Sequence, residues 1–141
     1  MCSQGMSGQG MSGQGMILDW NRGALAEGLE CYRREAFFAA HEHWESVWLQ
    51  SEEPEKTFLQ ALIQTTAAFH HLQRRNTAGA ISLLQAALRR LEPYPAVFAG
   101  IAVAPFRDAL RWWLQALARK DDPLRDPFPQ IVLDLPAGEE A

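Results

Sequence analysis

From Asp19 to Leu117 the apolar residues recur at three- and four-residue intervals, in runs bounded by capping or chain-breaking residues. On a helix turning about 100° per residue this spacing makes one apolar stripe, whereas a half-buried strand would alternate at every second position. Asp19 is placed as an N-cap ahead of Leu25, Leu29 and Tyr32, and a break at Arg33–Glu35 leads into a second helix from about Ala36 to Gln50. Ser51-Glu52-Glu53-Pro54 separates it from a third, for which Pro54 suits the first turn and which continues to about Arg75. Asn76 caps a fourth that ends near Leu91, ahead of Pro93 and Pro95. A fifth begins around Pro105 and carries Phe106, Leu110, Trp113, Leu114 and Leu117 on one face. After it, Asp122-Pro123 and Asp126-Pro127-Phe128-Pro129 force extended backbone, so Ile131, Val132, Leu133 and Leu135 are expected to lie along the bundle as a strap. The sequence predicts an all-α fold: a compact bundle of about five helices with an extended C-terminal strap and no paired strand.

A chain of 141 residues is the size of one domain and can bury a core without disulfides. Residues 16–141 are expected to form that single helical domain. Residues 1–15 form a five-residue repeat, Met-Cys-Ser-Gln-Gly and then Met-Ser-Gly-Gln-Gly twice, too poor in apolar side chains to offset ordering entropy. They read as a disordered low-complexity leader, or as sequence upstream of a start at Met16. A net charge of −4, with arginines in pairs and not in stripes, excludes a general nucleic-acid binder. No run approaches the ~20 apolar residues of a membrane span, and the N-terminus lacks a signal-peptide layout. Cys2 and Cys31 form neither a disulfide framework nor a metal-ligand pair, and a reducing, cytoplasmic setting is the expectation.

The second helix is the informative one. With Phe37 at the origin of the wheel, Trp44, Trp48, Phe38 and Leu49 fall on its side, while Ser46, Ala39, Gln50 and His43 fall opposite. His41 and Glu45 land inside this apolar arc and Glu42 at its edge. A charged side chain amid aromatic residues is costly unless paired, and a four-residue spacing lets His41 and Glu45 point at one spot. In the third helix Phe58, Leu62 and Phe69 define an apolar face. Gln60, Gln64 and His71 form a narrow polar stripe on the far side, which faces water or is partly enclosed by neighbours on the strength of nearby small residues. His70, beside Ile63 and Leu59, reads as a packed or edge histidine. Of the adjacent Trp112 and Trp113, one is expected in the core and the other on the strap or an interface.

These residues resemble the uncharacterised prokaryotic family known as domain of unknown function 309. The resemblance rests on Phe37-Phe38, His41-Glu42, Glu45 and Trp48, then Gln60, Ile63-Gln64, Ala67, His71, Asn76 and Gly79-Ala80, and covers about Leu25 to Leu91. Arg75 departs from it, since that family usually has Gly before the Asn, where it would close the third helix in a left-handed conformation. The resemblance implies a compact bundle of about five helices and no activity.

Two functional readings follow. In the preferred one, Glu45 orients His41 and a glutamine amide completes a buried structural network, inside an interaction module that binds a protein partner or oligomerises. In the alternative, His41, Glu45 and His71 hold a divalent transition metal with Glu42 as base, as in a metal-dependent hydrolase, or bind a small molecule. Known templates fit that alternative poorly. A zincin needs His in place of Glu45, and a di-iron bundle needs two Glu-x-x-His pairs, which the chain lacks. Nucleophilic catalysis has no support, since Cys31 and Ser46 have no evident partner and no nucleophile-elbow or phosphate-loop pattern occurs.

Overall fold

The computed structural model describes residues 18–120, 123 and 127–134, so the leader at 1–15 and Leu135 of the strap lie outside the described residues. Helices α1 (Gly23–Arg33), α2 (Phe37–Trp48), α3 (Glu55–Gln73), α4 (Thr77–Leu91) and α5 (Val103–Ala118) follow one another, with a hairpin of β1 (Val97–Phe98) and β2 (Ile101–Ala102) before α5. α3 packs against both α2 and α4 and so forms the centre of the bundle; α1 leans on α2, and α5 on α4.

Short connections explain this order. α1 and α3 each end in a turn whose backbone amides reach back into the helix, leaving one residue left-handed. Ala36 N donates to Cys31 O (2.8 Å) and Glu35 N to Tyr32 O (2.9 Å), with Glu35 at φ 63°. Asn76 N donates to His71 O (2.8 Å) and Arg75 N to Leu72 O (3.0 Å), with Arg75 at φ 64°. These paired bonds satisfy the last carbonyls and turn the chain sharply. Asn76 then caps α4 as expected, its Oδ1 accepting from Gly79 N at 3.0 Å.

Asp19 does not cap α1. Its Oδ1 accepts from Asn21 N (3.0 Å) and its Oδ2 pairs with Arg22 (3.0 Å), a local turn that uses up the carboxylate before the helix starts at Gly23.

The core is aromatic. Phe37 of α2, Phe69 of α3, Trp113 of α5 and Phe128 of the strap interlock, with ring centroids 4.9–5.4 Å apart. Trp44 is completely buried and donates from Nε1 to Leu25 O at 3.2 Å. The α1–α2 approach depends on Gly28, where a Cβ would run into the Trp44 indole. Tyr32, also buried, donates its hydroxyl to Pro129 O at 2.6 Å, tying the strap to α1, and burial pushes its phenol well above the usual range. Trp113 is core and Trp112 is 46% exposed, a split of the two adjacent tryptophans that the helical wheel anticipates.

One feature corrects the sequence reading. β1 and β2 pair antiparallel across a two-residue turn, Ala99 (φ 53°) and Gly100 (φ 79°), the left-handed geometry that suits a twisted hairpin. The strap joins its free edge: Ala102 N donates to Val132 O (2.9 Å) and Asp134 N to Gly100 O (2.8 Å), with Ile101 bridged to Leu133. The expected strap is thus a strand-like segment that buries Ile131. Among the described residues no helix is long and apolar enough to cross a membrane.

Candidate functional site

The inward face of α2 is centred on Phe37, Ala40 and Trp44, all at most 1% exposed. The arc drawn from sequence was centred about 70° away, because it included Phe38 and Leu49. Both turn outward, at 54% and 66% exposure. The rotation moves every polar candidate on the helix. His41 is half-buried at the edge of the interface, and Glu42 and Glu45 are exposed. The buried His41–Glu45 network is therefore not formed: once the arc is re-centred, Glu45 reaches water and needs no partner. Trp48, expected at the centre of the core, is half-buried at the margin with Lys56 Nζ 4.8 Å from its ring centroid. His43 lies on the other side, 3.4 Å from Glu27 of α1.

α2 and α3 run antiparallel, for Lys56 near the start of α3 meets Trp48 at the end of α2, and His70 near the end of α3 lies 5.4 Å from Phe38 at the start of α2. Gln64 lies midway along α3, about 100° round the helix from the line of Lys56 and His70 that meets α2. The stripe Gln60, Gln64, Ala67 and His71 is half-buried along its length, so the partly enclosed alternative holds for it. His41 and Trp48 thus stand on the α2 edge of the seam between the two helices, and Gln60 and Gln64 on the half-buried outer stripe of α3 beside it. His71 lies at its far end and Glu42 and Glu45 along its outer rim.

On these two helices three buried polar atoms, His41 Nδ1, Trp48 Nε1 and Gln64 Oε1, have no hydrogen-bond partner among the described residues. An indole N–H can only donate, a carboxamide oxygen can only accept, and an imidazole nitrogen does either according to tautomer. Leaving such a group buried and unsatisfied costs about 1–3 kcal/mol, and native folds contain few of them. Three on one helix pair is the chemical peculiarity of this molecule. Sequence reasoning missed Trp48 as a polar participant by treating it as core; its place two turns after His41 on the same side of α2 was the available signal.

The histidines at the far end are differently placed. Asn76 Oδ1 is committed to capping α4, which fixes its amide so that Nδ2 faces His71 Nδ1 at 3.0 Å and donates to it. Neutral His71 then carries its proton on Nε2. His70 stays below the ordinary imidazole range, first through burial and then through the charges of Arg74, His71 and His41. The His41 ring lies parallel to Phe38 with centroids 6.2 Å apart.

Among the described residues no three His, Cys, Asp or Glu side chains come together in a way that could hold a metal. His41, Glu45 and His71 are not a ligand set: Glu45 points to solvent and His71 Nδ1 is occupied by Asn76. Two cavities of about 380 Å³ lie elsewhere, one against Tyr94 and Phe98, the other against Cys31 and His43, and neither contains any of the six candidate residues.

Residues 25–83 match the family described as a domain of unknown function, DUF309. The matched stretch spans α1 to the first half of α4 and so contains the whole seam. No curated protein matches the chain.

Proposed function

We propose that the stretch matching the domain of unknown function DUF309 is a recognition module whose α2–α3 seam receives a partner protein. The observation that carries this reading is the set of three buried, unpartnered polar atoms, His41 Nδ1, Trp48 Nε1 and Gln64 Oε1. A seam whose only task was packing would be more stable with apolar side chains there; donors and acceptors buried without partners suit a seam that parts to admit a ligand bringing both kinds of group, as a polypeptide does. The seam is elongated, since His41 and Trp48 stand two turns, roughly 10 Å, apart along α2. It is flanked by the exposed Phe38 and Leu49, apolar side chains of the kind that anchor protein contacts. The buried, free thiol of Cys31 fits a reducing compartment such as the cytoplasm.

Site-specific photo-crosslinking in growing cells tests the reading. A photoreactive residue at Gln60, in the seam, is expected to give a discrete adduct. One at the exposed Gln85 of α4 should not, and Gln64→Leu should abolish the Gln60 adduct. Equal labelling from both positions, or an adduct indifferent to Gln64→Leu, contradicts a seam-directed partner.

A further inference from the structure

Phe38, Glu42, Glu45 and Leu49 stand one turn apart from one another along the solvent side of α2, beside the seam, and all four are exposed. Neither Glu42 nor Glu45 forms an ion pair among the described residues, and Lys56 is held over the Trp48 ring. The stripe therefore reads apolar, acidic, acidic, apolar, over about 16 Å of helix. Resting on the seam being a recognition surface, we propose that its occupant is an amphipathic helix of a partner protein that carries two apolar side chains three turns apart with arginine or lysine on the two turns between them.

The chemistry argues for this occupant over the others a helix face could take. A second copy of the chain, laid parallel or antiparallel on the same stripe, would set carboxylates against carboxylates, and like charges facing one another oppose association. An anionic membrane or a nucleic acid is repelled by the same two groups. A cationic helix instead puts a guanidinium or ammonium group on each carboxylate while its apolar side chains cover Phe38 and Leu49, the helix-on-helix mode of peptide recognition.

The test uses the full chain and two synthetic helical peptides labelled for fluorescence anisotropy. Both carry leucines three turns apart; one has arginine on the two intervening turns and the other glutamate. The arginine peptide is expected to bind at least tenfold more tightly than the glutamate peptide, with affinity falling as salt is raised. In Glu42→Lys/Glu45→Lys the preference should reverse, and because both residues are exposed the melting temperature of that variant is expected to stay near wild type. Equal affinity for the two peptides, or no binding of either, overturns the cationic occupant. Equal binding that is lost in Gln64→Leu would leave the seam as a recognition site and refute only its charge preference. The in-cell crosslink from Gln60 judges the seam independently of either peptide.

Discussion

Arg75 occupies a left-handed backbone position, φ 64°, where the Schellman-type turn after α3 demands it and where Gly is the residue with no steric objection. A non-glycine residue there costs about 1–2 kcal/mol, partly offset by the greater entropy glycine loses on folding. Arg75→Gly should therefore raise stability by up to about 1 kcal/mol, read as a higher urea midpoint at unchanged slope; a lower midpoint would show that the Arg side chain holds the turn by other means. Gly28 presents the converse case. Its missing Cβ is what lets the Trp44 indole lie on α1, so Gly28→Ala should cost roughly 1–3 kcal/mol by overpacking. The departure at Arg75 was visible in the residues, because Arg stands where the resemblance calls for Gly. The need for glycine at position 28 was not, since a glycine on a helical wheel carries no sign of what approaches it.

At the level of the element, α2 shows how a correct helix can be assigned the wrong face. Its limits and amphipathic character were legible, but a wheel weighs every apolar residue alike, and two that face solvent, Phe38 and Leu49, drew the arc away from its true centre at Phe37, Ala40 and Trp44. The displacement made Glu45 look buried and Trp48 look central. Stability measurements separate the two faces. Trp44→Ala should cost about 3–5 kcal/mol, as large-to-small changes in a core do, while Phe38→Ser should stay within about 0.5 kcal/mol of wild type. A large loss for Phe38→Ser, at 54% exposure, would place α2 in the orientation drawn from sequence. The facing end of α3 supplies a pH dependence. With the pKa of His70 held below its ordinary value by burial and by Arg74, His71 and His41, the unfolded chain binds a proton there more readily than the folded one. Stability should therefore fall as pH drops from the ordinary imidazole value of about 6.5 towards the lower folded pKa. His70→Gln should flatten that fall between neutral and mildly acidic denaturation curves; an unchanged pH profile would mean His70 titrates alike in both states.

Across the whole molecule, what the sequence could convey was the helical period and its punctuation, and that was enough for five helices in order with a strap closing the bundle. The hairpin escaped it because two residues per strand are too few to show alternation, and Ala99-Gly100 lacks the Asn or Asp that marks such a turn. The site was half legible. The polar residues of α2 and α3 were found, but their partners were assigned within the chain, whereas the fold leaves buried atoms of His41, Trp48 and Gln64 on these two helices unbonded among the described residues. This lack of internal partners is the central claim, and the urea-induced unfolding of Gln64→Met tests it most directly. Methionine keeps the length and volume of the side chain and removes the unsatisfied oxygen. If that oxygen has no structural partner, the variant should gain about 1 kcal/mol. A loss of about 1–3 kcal/mol would instead show that Gln64 is bonded within the folded chain, directly or through bound solvent, and that the seam is a structural network after all.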